Sequence, residues 1–104
     1  MVIRIFRVRA RPGCASELER VVRERGVPNI TRREGLVSLL VGRPDDGDER
    51  DLMLVSVWRD LEALRAFKGD AWREARLLPE ELGLSESASV SHVIADSIGG
   101  LPWS

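Results

Sequence analysis

Hydrophobic positions along this chain follow two rhythms. In residues 52–58, LMLVSVW, apolar side chains occupy both faces of an extended strand. One face carries Leu52, Leu54, Ser56 and Trp58, and the other Met53, Val55 and Val57. Residues 36–41, LVSLLV, behave alike, with Leu36, Ser38 and Leu40 opposite Val37, Leu39 and Val41. A strand with one wet face alternates polar and apolar residues, and neither of these does. Residues 2–10 form another strand, with Val2, Arg4, Phe6 and Val8 on one face and Ile3, Ile5, Arg7 and Arg9 on the other. Residues 87–97 form the fourth, in which His92 alternates with Val90 and Ile94.

The second rhythm is helical. Ala15, Leu18, Val21 and Val22 make an apolar stripe over residues 15–25. Ser16 and Glu19 have capping-box spacing, and Gly26 and Pro28 are expected to stop the helix. Residues 29–34 allow one more turn before Gly35. Asp60 is placed to cap a second helix with Leu61, Leu64 and Phe67 on one side. Gly69 and Asp70 are expected to break it, with a restart over residues 71–78 and a loop or short turn over residues 79–84. Residues 44–50, PDDGDER, read as an acidic hairpin tip. Residues 98–104, with Gly99, Gly100 and Trp103, read as a tail.

The resulting order, β-α-β-β-α-β, predicts an α+β, ferredoxin-like domain over residues 1–97 with a four-stranded antiparallel sheet. Right-handed crossovers place both helices on one face of that sheet. The other face is apolar, and a second copy of the chain is the simplest cover for it. A homodimer through the open sheet face, a dimeric α+β barrel, is therefore expected. The alternative is that both apolar segments are central strands of a taller monomer. A ligand pocket is expected inside the barrel or between sheet and helices.

Composition narrows the partners. The chain has 104 residues, a formal net charge of −1 and 32% charged residues, so nothing in the balance asks for nucleic acid or an anionic membrane. Lys68 is the single lysine among 16 basic residues. Cys14 is the single cysteine, so no intrachain disulfide forms. No apolar run approaches the ~18 residues of a membrane span, and Arg4, Arg7, Arg9 and Arg11 interrupt any signal-peptide core. A cytoplasmic protein is expected. Metal-ligand spacing, a glycine-rich phosphate loop and a GxSxG elbow are all lacking in the sequence.

Three features carry a family resemblance: the opening apolar strand followed by Pro12-Gly13, Gly35 at the start of the second strand, and VWRDLEALRAF from Val57. On these the chain resembles the antibiotic biosynthesis monooxygenase family of dimeric α+β barrel proteins, over about residues 2–97. The resemblance implies oxidation of a quinol or phenolic compound without metal or flavin. It also admits heme-degrading relatives and proteins with no assigned activity. Heme-degrading relatives carry an iron-ligating histidine on the second helix, about where Phe67 stands here. Some oxygenase members carry an asparagine four residues before the tryptophan, where this chain has Leu54.

Such oxygenation needs an aromatic site shielded from water, a stabilised substrate anion and a proton acceptor. Trp58 is the candidate stacking wall, and Phe67 is a further expected substrate-binding residue. His92, the only histidine, is the candidate catalytic proton acceptor. Arg4, Arg7 or Arg9 would meet the anion, and Arg7 joins Trp58 and Phe67 in the expected substrate-binding set. Two functional classes follow. One is a cofactor-independent monooxygenase acting on a small aromatic or quinol compound, with no cofactor and no metal. The other is a non-catalytic dimeric barrel that binds a small apolar ligand or serves as a scaffold.

Overall fold

A computed structural model describes residues 1–96; the expected tail, residues 98–104, lies outside the described residues. Strand β1 (Val2–Ala10) leads to helix α1 (Ala15–Val21), a π-helical stretch (Val22–Gly26) and α2 (Val27–Thr31). Strands β2 (Leu36–Gly42) and β3 (Asp51–Trp58) form a hairpin, followed by α3 (Leu61–Lys68) and a 3₁₀ turn (Gly69–Ala71). A short α4 (Pro79–Leu82) precedes β4 (Ser85–Ile94). The strands lie in the order β2-β3-β1-β4 and all pair antiparallel, giving the ferredoxin-like arrangement expected from the sequence.

Register decides which residues meet. Val2, Arg4, Phe6 and Val8 of β1 stand opposite Trp58, Ser56, Leu54 and Leu52 of β3, and Arg4 also stands opposite His92 of β4. These positions share the helix-covered face. The period of two then sends Ile3, Ile5, Arg7 and Arg9, with Met53, Val55 and Val57, to the other face. Under the helices the core has two parts. Val8, Ala10, Leu18, Val22, Leu52 and Leu54 form one, and Val2, Trp58, Ala63, Leu64 and Trp72 the other. On β2 a register shift between Leu36 and Ser38 breaks the alternation, so Val37 is exposed while Leu39 and Val41 pack on the core.

Local expectations fared unevenly. Asp60 does cap α3, its carboxylate accepting from the Ala63 amide at 2.8 Å. Gly69, at φ 72°, ends that helix as only glycine does without strain. The capping box of Ser16 and Glu19 is not formed: Cys14 is the N-cap, and Glu19 instead bridges Arg23 and Arg43. Gly26 and Pro28 do not stop the first helix. The chain stays helical through both, because the widened π turn just before Pro28 displaces the hydrogen-bond ladder that a proline would break. Residues 71–78 do not resume a helix. Ala71 closes the 3₁₀ turn, residues 72–78 run irregularly, anchored by Trp72, and the next helical turn belongs to Pro79–Leu82.

One glycine is fixed by packing as well as by backbone. Gly35 adopts φ 87°, and a Cβ there would overlap the Ala63 side chain at the start of α3. The close approach lets the Arg59 amide donate to the Gly35 carbonyl at 2.7 Å, which seats α3 against the β2 entry.

Candidate functional site

Between the two core clusters lies a partly open cavity of about 70 Å³. Its floor is the sheet, with Arg4 and Phe6 of β1 and Leu54, Ser56 and Trp58 of β3. One wall is the irregular helix, with Val22, Gly26, Asn29 and Ile30, and the other is the end of α3, with Phe67 and Lys68. Arg76, Leu78 and Glu81 complete the lining. The pocket therefore sits between sheet and helices, one of the two places expected.

Aromatic groups stiffen the α3 side. Trp58 has no exposed surface, and its Nε1 donates to Ser56 Oγ at 3.0 Å. Its ring stacks on Phe67 with centroids 5.4 Å apart and planes 23° apart. Arg33 and Lys68 each approach the Phe67 ring to 4.7 Å from its centroid. Two cations on one ring favour a fixed ring position.

Charge in the cavity is mainly positive. Arg4 is 4% exposed, and its partners are uncharged: the Trp72 carbonyl, the Glu74 carbonyl at 3.0 Å, and His92 Nε2 at 2.9 Å. Burial lowers the Arg4 pKa to about 10, which still leaves it charged at neutral pH. Burial first, and then the positive charge of Arg4, lower the Lys68 pKa to about 8. Glu81 is buried too. Burial pushes its carboxyl up, although its Oε1 accepts from the Leu78 amide at 2.7 Å.

The Arg4 contact settles the state of His92. A guanidinium only donates, so Nε2 must accept and the proton of the neutral ring sits on Nδ1. Burial, Arg4 and Arg73 all push the imidazole pKa down, which favours that neutral form. The ring also packs edge-on against Trp72 with centroids 4.8 Å apart. His92 thus stands behind Arg4 and is not among the residues lining the cavity, because β4 is an edge strand beside β1.

The residues singled out from sequence are therefore divided. Trp58 and Phe67 stand side by side on the cavity wall, and His92 reaches it only through Arg4. Arg7 is exposed on the opposite sheet face, since its odd position in β1 points away from Arg4. Arg9 is on that face too, bound to Asp51 at 2.8 Å and to Asp48 at 3.1 Å in the hairpin tip. Leu54, at the asparagine position of some oxygenases, lines the cavity with an apolar side chain. Lys68 and Glu81 were missed from sequence, Lys68 despite being the chain's only lysine. Ser56, the one polar residue on the buried face of β3, also marked the spot. Among the described residues no three His, Cys, Asp or Glu side chains gather as metal ligands.

Comparison with known proteins agrees with the fold. The sequence profile of the antibiotic biosynthesis monooxygenase family matches residues 1–76. SnoaB, a cofactor-independent oxygenase from Streptomyces nogalater, superposes with a TM-score of 0.69 at 22% identity, covering 93% of this chain and 94% of that one. A protein described as a candidate antibiotic biosynthesis monooxygenase from Deinococcus radiodurans gives 0.72 at 14% identity, covering 99% and 100%. An uncharacterised NIPSNAP domain protein from Burkholderia xenovorans gives 0.70 at 14% identity, covering 96% and 99%. No curated protein sequence matches the chain significantly. No helix among the described residues is long and apolar enough to cross a membrane. With a profile match that takes in the first three strands and the Trp58–Lys68 wall of the cavity, the chain belongs to the antibiotic biosynthesis monooxygenase family.

Proposed function

We propose that the protein is a cofactor-independent monooxygenase of a small aromatic or quinol compound. The observation that carries this reading is Lys68, an amine of lowered pKa in a cavity walled by Trp58 and Phe67. In the proposed reaction, neutral Lys68 accepts a phenolic proton and the resulting ammonium stays beside the phenolate. Arg4 adds a second fixed positive charge, and His92 holds Arg4 in place as a positioning residue. The electron-rich anion then reduces O₂. A quinol plus O₂ gives a hydroxyquinone plus water, so the equation balances without an outside reductant.

The protein is proposed to work as a homodimer through its open sheet face. Leu40 is 65% exposed and Val93 48% exposed there, next to the half-buried Ile3, Ile5 and Val55. Solvent-facing apolar groups at this density favour a second copy as cover.

Oxygen uptake with a panel of mono- and bicyclic hydroquinones tests the activity. Uptake that rises with pH through about 8 and disappears in Lys68→Met supports the proposal. Binding of hydroquinones with no uptake at any pH would refute it and favour the ligand-binding barrel. Leu54 in place of a polar residue on the cavity floor is the observation in favour of that second reading.

A further inference from the structure

Building on the oxygenase reading above, we infer that the ring entering this cavity carries a carboxylate beside its hydroxyl groups, making the substrate class a monocyclic hydroxyaromatic acid. The balance of charge is the main reason. Arg4, Lys68 and Arg76 line the cavity, and Glu81 is the single carboxylate of the lining. Glu81 accepts from the Leu78 amide, and its charge acts on Lys68 and not on Arg4. Arg76 has Glu74 at 3.6 Å, an exposed and therefore weakly held pair. Arg4 has two carbonyls and an imidazole, and none of these carries charge. A buried guanidinium without a counter-ion is held at a cost, and a bound anion would relieve it. A phenolate supplies one negative charge against the two cations, Arg4 and protonated Lys68, that the proposed reaction sets around it.

The shape of Arg4 points the same way. Nη1 meets the Trp72 carbonyl and His92, Nη2 meets the Glu74 carbonyl, and Nε–H has no partner among the described residues. Arg4 is also part of the cavity lining. The Nε–Nη2 edge is a planar fork that fits a carboxylate with two parallel hydrogen bonds. His92 and the two carbonyls hold Nη1 and Nη2 of the same plane in place.

Space restricts the ring count. The partly open volume of about 70 Å³ is far below ordinary ligand pockets of ~300–1,000 Å³, which favours one ring over several fused rings.

Calorimetric titration of 2,5-dihydroxybenzoate against its methyl ester isolates the carboxylate, because ring and hydroxyl groups are unchanged. The acid should bind roughly ten- to a hundredfold more tightly, the worth of one hydrogen-bonded charge. The exposed Arg76→Gln should shrink that ratio several-fold while the fold is kept. Arg4→Gln should bring it near one, provided its circular dichroism matches the wild type. Equal binding of acid and ester by the wild type would overturn the inference, and oxygen uptake with the ester would then leave the oxygenase reading intact. A preference for the acid that persists in both variants would also overturn it, since other groups would be reading the charge. Tighter binding of the acid without any oxygen uptake would support the ligand class and remove the reaction.

Discussion

Replacing Lys68 by Met should make the protein more stable at neutral pH while destroying activity. Burial and Arg4 hold the Lys68 pKa at about 8, against 10.5 in the unfolded chain. Between those values the unfolded state binds more protons than the folded state, so stability rises with pH across that window. Below about pH 8 the ammonium is charged in both states and the folded state bears the whole cost. A separation of about two to three pH units corresponds to roughly 3 kcal/mol at most. Methionine keeps the apolar stem but loses the cation over Phe67, which offsets ~0.5–1 kcal/mol. Lys68→Met should therefore gain about 1–3 kcal/mol at pH 7, and the gain should fade towards pH 10.5. Urea denaturation of both proteins at fixed concentration from pH 6 to 10.5 measures this, and fixed concentration matters because association shifts apparent stability. A variant no more stable than the wild type at pH 7, with a parallel pH profile, would show that Lys68 carries its charge without cost. The proton-acceptor role would then lose its physical basis.

Other outcomes follow from particular contacts. Gly35→Ala should destabilise by roughly 2–4 kcal/mol in thermal unfolding, combining a left-handed backbone with overlap on Ala63, and adding Ala63→Gly should restore only the overlap part. His92→Ala should lower kcat/KM by about tenfold or more, while His92→Gln, which can still accept from Arg4, should recover most of it; equal loss in both would point to His92 itself as the base. Hemin titration should give no stoichiometric Soret shift at sub-micromolar concentration, since Phe67 offers no nitrogen to iron, and a tight shift would expose an unrecognised ligand. Sedimentation equilibrium at micromolar concentration should show a dimer that Val55→Asp dissociates, and a folded wild-type monomer there would rule out the open-face interface.

Much of the architecture was legible in the chain itself. Strand periodicity, the Asp60 cap and the Gly69 stop are local properties, set by side-chain alternation and by φ/ψ preferences over a few residues. They sufficed for the element order and hence the ferredoxin-like sheet. The helix through Gly26 and Pro28 was not legible, because local stop signals were overridden by packing of Val22 and Ile30 on the sheet. The irregular run over residues 72–78 escaped for a related reason: it is held by Trp72 and by bonds to Arg4, a residue 68 positions away from Trp72. The cavity was only half legible. Trp58 and Phe67 announce themselves as large apolar groups, one just before a helix start and the other on that helix's apolar side. The choice of Arg4 over Arg7 and Arg9 needed the register of β1 against β3 and β4, which sets which face looks at the helices. Lys68 acquires its lowered pKa only when folding buries it and brings Arg4 near, and His92 becomes a hydrogen-bond acceptor for Arg4 only when β4 returns beside β1. Periodicity and capping act over one or two turns of chain and can be read along it. Burial and charge proximity are sums over residues far apart in sequence, so the tertiary structure alone decided them.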